Sequence, residues 1–207
     1  SLFFNTSSER SLSDLLYHIK DTDSKLHLKI ERARCIDTET RLHYFIPPYR
    51  LTELEEITPD EIKGFIREIK AMGQYDLVFL DMSSSFNMFN IALLEACDEI
   101  FFVSLEDSVS RLKAGLVLDE IKLLSERSGY ILSDKITFIL NKLRGDITID
   151  SSEDRFKNSI RLPFCEDIAS VVSADNLSNM ANSFCKSIGL LLEEKILRGF
   201  EDEYPTV

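Results

Sequence analysis

The sequence predicts an α/β domain built on a parallel, helix-flanked sheet, and three observations carry that prediction. Two short runs, Leu77 to Leu80 and Ile100 to Val103, are apolar throughout with no polar alternation, the pattern of parallel strands covered on both faces. The stretch between them has room for one crossover helix, which makes a βαβ unit. Beyond that unit, strand-like and helix-like segments keep alternating along the chain.

From the amino end, Ser11-Leu-Ser-Asp14 has the spacing of a capping box and opens a helix through about Ile19. A weaker helical stretch runs from Ser24 to Arg34, and Leu42 to Ile46 reads as a strand stopped by Pro47-Pro48. The next helix is sharply signalled. Thr58 caps it, Pro59 takes the first position and Glu61 closes the box, with Ile62, Phe65, Ile66, Ile69 and Met72 on one face until Gly73 ends it. The strand Leu77 to Leu80 follows, terminating at Asp81 and the polar run Ser83-Ser84-Ser85.

After the Ile100 to Val103 strand, Ser108 is placed to cap a long helix whose buried stripe reads Val109, Leu112, Leu116, Val117, Ile121 and Leu124, ending at Ser128-Gly129. A buried strand from Ile136 to Leu140 ends in Asn141-Lys142. Gly145 to Asp154 is polar and reads as a loop. Ser159 to Leu162 is a short last strand stopped by Pro163, and a terminal helix is expected over about Asn176 to Leu197.

Composition removes several function classes. A chain of 207 residues with 44% hydrophobic content and mean hydropathy near zero fits one globular domain with a substantial core. Its formal net charge of -12, with no clustered Lys or Arg, counts against binding a nucleic-acid backbone. No stretch approaches the ~20 apolar residues of a membrane span, and SLFFNTSSER has neither the basic leader nor the long apolar segment of a signal peptide. The four cysteines (Cys35, Cys97, Cys165, Cys185) stand far apart, which suggests reduced thiols in the cytoplasm rather than a zinc site or disulfide framework.

Chemistry is expected at the carboxyl ends of the strands, where open α/β sheets bind ligands. Asp81 stands there as a candidate for holding a divalent cation, since Mg²⁺ is commonly held by one or two carboxylates plus substrate phosphates. A carboxylate in that place also serves simply to cap the following loop. Asn141-Lys142 ends another strand, where an amide offers a donor and an acceptor to a base or merely forms a turn. His18, His27 and His43 are isolated, and Ser83 to Ser85 lacks the flanking glycines of a nucleophile elbow.

In order, the segments SLSDLLYHI, LHYFIPP, YDLVFLD, LLEACDEIFFVSLEDSVSRLKAG, ITFILNK and RLP followed by Glu166-Asp167 resemble the MinD/ParA group of P-loop ATPases, most closely its CpaE/TadZ branch of Tad/Flp pilus-assembly proteins. The resemblance spans nearly the whole chain and implies a Rossmann-like P-loop NTPase fold. It implies that Asp81 lies near the Mg²⁺ of bound ATP, that Asn141 with Lys142 contacts adenine, and that the loop from Pro163 through Phe164 to Glu166 closes over the base. Ser108, Ser110 and Arg111 would begin the dimer-facing helix of a nucleotide-dependent homodimer.

The chain has no Gly-Lys-Ser/Thr, and none of its seven glycines makes a phosphate loop. The resemblance therefore implies a fold incomplete at its amino end, with the first strand, phosphate loop, first helix and second strand supplied by a preceding segment. ATP and Mg²⁺ are expected cofactors only if that loop is present in the full protein, and a receiver-like domain is a further family expectation upstream. Met82-Ser83-Ser84-Ser85 stands where the family has Pro or Gly after the aspartate, which implies weak hydrolysis or none. The expected function is that of an ATP-binding positioning protein or scaffold recruiting pilus and secretion proteins in the cytoplasm, at a cell pole, without nucleic acid or membrane insertion. A nucleotide-free interaction domain that keeps the fold is the alternative, and a MinD- or ParA-type partitioning ATPase a third.

Overall fold

In the computed structural model, residues 11–20, 25–38, 40–50, 52–128, 132–144, 159–166, 188–190 and 193 are described. The chain divides into two compact units, Ser1–Cys97 and Asp98–Val207. The Gly145 to Asp154 loop and nearly all of the expected terminal helix lie outside the described residues.

The first unit is a helical cluster with a small hairpin. Helix α1 (Leu12–Ile19) begins at Ser11, whose Oγ accepts from Ser13 N at 3.1 Å while the Asp14 carboxylate accepts from Ser11 N at 3.4 Å. This is the capping box read from the sequence. Helix α2 (Leu26–Ala33) follows, then strands β1 (Cys35–Ile36) and β2 (His43–Tyr44), paired antiparallel. Helix α3 (Thr52–Glu55) is one turn long. Helix α4 (Pro59–Ala71) carries the Thr58/Glu61 box, and α5 (Met88–Ala96) is capped by Asn87. The predicted inner face of α4 is buried as Ile62, Phe65, Ile66 and Ile69, packed with Leu15, Leu16 and Ile19 of α1, Ile30 of α2 and Leu93 of α5. An ion pair between Lys63 and Glu95 joins α4 to α5.

Two expectations in this unit are corrected. Leu42 to Ile46 shrinks to the two-residue β2, because its partner β1 is equally short and Pro47-Pro48 follows closely. Leu77 to Leu80 forms no ladder among the described residues, and Leu77, Val78 and Phe79 are exposed, Phe79 by 64%. A strand is defined by its neighbours' hydrogen bonds. An apolar run without a paired neighbour stays extended chain.

The second unit is a parallel sheet in the order β3-β4-β5, formed by β3 (Ile100–Leu105), β4 (Ile136–Leu143) and β5 (Ile160–Pro163). Register runs from Ile100 opposite Ile136 to Leu105 opposite Asn141, and β4 meets β5 at Ile139 with Ile160 and at Leu143 with Pro163. The parallel, helix-flanked arrangement is the one the sequence predicts. Helix α6 (Ser108–Ser128) connects β3 to β4 through a 3-10 turn at Ser133–Lys135.

The stripe assigned to α6 is also corrected. Among the described residues Ala114 and Ile121, seven residues apart, are its buried positions, whereas Val109, Leu112 and Leu116 are exposed. Apolar residues cover more than one face of this helix, so periodicity alone could not choose which face turns inward.

Candidate functional site

The strand ends of the second unit form a rim. β4 continues three residues past Leu140, and its pairing with β5 is irregular between Leu140 and Leu143. The irregularity has a local cause: Lys142 takes a left-handed backbone, with φ 61°. Asn141 Oδ1 accepts from Lys142 N at 2.9 Å, which stabilises the bend. The turn-forming role weighed for Asn141 is therefore real. It occupies one lone pair of Oδ1 and leaves the Nδ2 donor for another partner.

Past the bend, Phe164 N donates to Leu143 O at 2.8 Å, which carries the sheet pairing one residue beyond Pro163. The Arg144 guanidinium lies over the Phe164 ring, 4.1 Å from its centroid, in cation–π geometry. Asn141, Lys142, Pro163 and Phe164 thus come together at the carboxyl ends of β4 and β5, and Glu166 follows two residues on, exposed. Arg144 was not singled out from sequence. The only signal was a cation just past a strand end, and nothing in the chain links positions 144 and 164.

The end of β3 borders this rim, because Leu105 pairs with Asn141. Here the cap of α6 is Asp107 rather than Ser108. Its Oδ1 accepts from Ser110 N at 2.9 Å and its Oδ2 from Ser110 Oγ at 2.6 Å. Those two bonds, the hydroxyl's foremost, hold the Asp107 carboxyl below its usual range. An Asp at this place does what a Ser would, with a charge that suits the helix N-terminus. Arg111 Nε donates to Glu106 O at 3.1 Å, so Ser110 and Arg111 both brace the turn that leaves β3. Glu106 Oε1 is buried without a hydrogen-bond partner among the described residues, an acceptor left for a ligand or a neighbouring chain.

Asp81 belongs to the first unit. It is exposed at the end of the unladdered Leu77 to Leu80 segment. The loop after it is held from below by Asn90, which is 6% exposed. Asn90 Nδ2 donates to Ser85 O at 2.6 Å and to Ser83 Oγ at 3.1 Å, while its own backbone N–H is capped by Asn87 Oδ1 at 2.8 Å. Sequence reasoning passed over Asn90, since an Asn in the first turn of a helix is common. Among the described residues no group of three His, Cys, Asp or Glu could hold a metal ion. Asp81 alone suits Mg²⁺ only where phosphate oxygens and water complete the shell.

His43 is not isolated. Arg34 and the Tyr75 hydroxyl each lie 3.2 Å from its Nδ1. Arg34 also donates to Gln74 Oε1 at 3.2 Å, and Gln74 in turn donates to Glu31. The cluster ties β2 to the ends of α2 and α4, a structural role. A concavity in the same unit, lined by Asp14, His18, Lys20, Lys29, Arg32 and Glu53 among others, mixes both charge signs and contains none of the strand-end residues.

No family model matches the chain, and no curated protein matches it in sequence. Solved structures do match in fold. The chain is similar to a ParA family ATPase from Chlorobium tepidum TLS, with a TM-score of 0.69 and 20% identity, over 92% of this chain and 79% of that one. It is similar to MinD complexed with Mg-ADP from Pyrococcus horikoshii OT3, with a TM-score of 0.64 and 16% identity, over 95% and 78%. The MinC:MinD complex of Aquifex aeolicus matches at a TM-score of 0.56 and 16% identity, over 82% and 65%. The fold is that of the ParA and MinD ATPases, a Rossmann-like P-loop NTPase fold.

Proposed function

We propose that this chain is an ATP-binding, dimerising positioning or scaffold protein with weak hydrolysis or none, and that its counterparts are the CpaE/TadZ proteins of Tad-type pilus assembly. The observation that carries the reading is the gathering of Asn141, Lys142, Arg144 and Phe164 at adjacent strand ends, in a fold shared with a MinD that holds Mg-ADP. In this reading Asn141 Nδ2 and the Pro163 to Glu166 segment face the base. Lys142 and Arg144 supply positive charge in an otherwise acidic chain, and Asp81 meets Mg²⁺ directly or through water. Bound nucleotide would supply the charge and bulk that favour one dimer, with Ser108, Ser110 and Arg111 on its face. Pilus and secretion proteins would be the recruited partners, in the cytoplasm and at a pole.

The phosphate loop of this reading comes from a segment preceding Ser1, together with two strands and a helix. The exposed Leu77, Val78 and Phe79 support it, because an extended apolar run that joins no ladder among the described residues is a site for added strands. An intact mass of the protein from its source larger than 23.8 kDa by ~30 residues or more fits this arrangement.

Calorimetric titration of that intact protein with ATP and Mg²⁺ is the test. Binding should depend on Mg²⁺ and weaken by about tenfold or more in Asp81→Ala, roughly 1.4 kcal/mol, with an unchanged unfolding midpoint. Unchanged affinity removes Asp81 from the site. Absence of binding at ~1 mM ATP overturns the ATP reading in favour of a nucleotide-free interaction domain. Met82-Ser83-Ser84-Ser85 and the lack of Gly-Lys-Ser/Thr favour that second reading.

A further inference from the structure

We propose that the concavity lined by α1, α2 and α3 in the first unit docks an acidic peptide segment of a partner protein. Its volume is about 980 Å³, at the upper end of the roughly 300–1,000 Å³ range of ligand sites. Leu15, Leu16 and Ala33 are its buried lining, exposed by 1%, 4% and 6%. Tyr17 and Tyr49 line it too and stand in solvent, exposed by 73% and 68%.

The walls are tied in place without a partner. Leu12 N donates to Ile46 O at 2.8 Å and Tyr49 N to Ser13 Oγ at 2.9 Å, which fixes the Ile46 to Tyr49 segment along the first turn of α1. Lys20 and Glu56 form an ion pair at 2.7 Å between the end of α1 and the residue after α3. A site held this way loses little ordering entropy when it is filled.

The charges left over decide what fits. Lys20 and Glu56 neutralise each other, and the Asp14 carboxylate accepts from Ser11 N at 3.4 Å in its capping box. Lys29 and Arg32 remain. They lie three residues apart on α2, hence on one face, and neither has a hydrogen-bond or ion-pair partner among the described residues. Lys29 is half-buried, so its ammonium has lost part of its water without gaining an anion. Across from them Glu53 of α3 is a lining acid that no side chain engages among the described residues.

A peptide answers all of these features. It brings carboxylates to Lys29 and Arg32, an apolar side chain to the two tyrosine rings, and backbone N–H groups to Glu53. Free phosphate would leave the rings in water and meet Glu53 as a like charge. A nucleic-acid strand needs more than two cations to hold its backbone. The chain's formal charge of -12 gives an acidic partner no long-range attraction, so binding rests on these contacts alone. Affinity is therefore modest and falls with salt.

Fluorescence anisotropy tests this on the 207-residue chain without nucleotide, using short labelled peptides in which Glu alternates with Leu. The Glu peptide should bind at about 100 µM, and its Gln and Lys counterparts about tenfold more weakly or worse. Lys29→Glu with Arg32→Glu should weaken the Glu peptide by about tenfold or more, and so should Tyr49→Ala. Lys113→Glu with Lys122→Glu, the same charge change in the second unit, should leave binding as it was. Should the Lys29 and Arg32 reversal lose helical circular dichroism, Lys29→Gln with Arg32→Gln decides by the same loss. No binding of the Glu peptide up to ~1 mM overturns the proposal, and so does equal binding of the Gln peptide. An equal loss from the two charge reversals overturns it as well, since net charge alone would then be at work. Displacement of the peptide by inorganic phosphate below ~1 mM, at constant ionic strength, marks a simple anion site instead. Failure here leaves the ATP reading untouched, since no nucleotide is present and no strand-end residue is altered.

Discussion

Nδ1 of His43 faces a guanidinium and a phenol at 3.2 Å each, and Arg34 has only hydrogens to give. Nδ1 must therefore accept, which requires the neutral ring with its proton on Nε2. Burial comes first in lowering the His43 pKa from 6.5, followed by the charges of Arg34 and Arg41. A histidine whose folded pKa is depressed stabilises the fold fully above its unfolded pKa. As pH falls below about 6.5 the unfolded chain takes up the proton more readily, and that stability is lost down to the folded pKa. The urea midpoint should fall as the protein is acidified from about pH 7.5 to 5.5, and His43→Gln should flatten that part of the profile. An identical slope in the variant would show that another group titrates there. Asn90 shows the same economy of contact, with one buried amide fixing Ser83 and Ser85, two of the three serines that follow Asp81.

At the scale of elements, caps carry the clearest energetics. Thr58 Oγ1 accepts from Glu61 N at 3.3 Å, and Glu61 Oε2 accepts from Thr58 N at 2.7 Å. Thr58's backbone N–H, then its hydroxyl, hold the Glu61 carboxyl below its usual range. Thr58→Ala should cost about 1 kcal/mol, read as a lower urea midpoint, while Thr58→Ser stays near the parent. The linkage has the opposite chemistry to His43 but the same direction: Glu61's contribution is present above its unfolded pKa of 4.5 and is lost on acidification through the folded value. Such boxes were legible in the sequence because cap, proline and closing carboxylate lie within four residues. So were the inner face of α4 and the parallel β3 and β4. The β1-β2 hairpin was not, since two paired residues leave no periodicity, and Asp37 organises its turn with bonds to Thr40 at 2.8 and 2.6 Å. The rim was half legible. Asn141 and Phe164 stand at strand ends that the pattern marks, but the stacking of Arg144 on Phe164 joins residues twenty apart and exists only once β4 and β5 pair.

For the whole molecule, net charge bounds which partner the fold can serve. A chain of formal charge -12 repels a polyanion, and duplex binding needs several cations aligned to displace counterions. Lys142 and Arg144 are two cations on one rim, enough to favour a single nucleotide and too few to track a phosphate backbone. Among the described residues no helix is long and apolar enough to cross a membrane. Exposed apolar groups include Leu77, Val78 and Phe79 in one unit and Val109, Leu112 and Leu116 in the other, which suit added protein surface. The positioning reading therefore predicts that duplex DNA at physiological salt binds no tighter than ~100 µM, with or without Mg-ATP, in a fluorescence anisotropy titration. Low-micromolar binding with a steep salt slope would reverse the argument. It would require a basic surface beyond these residues, and the partitioning ATPase would then become the better account of the same fold.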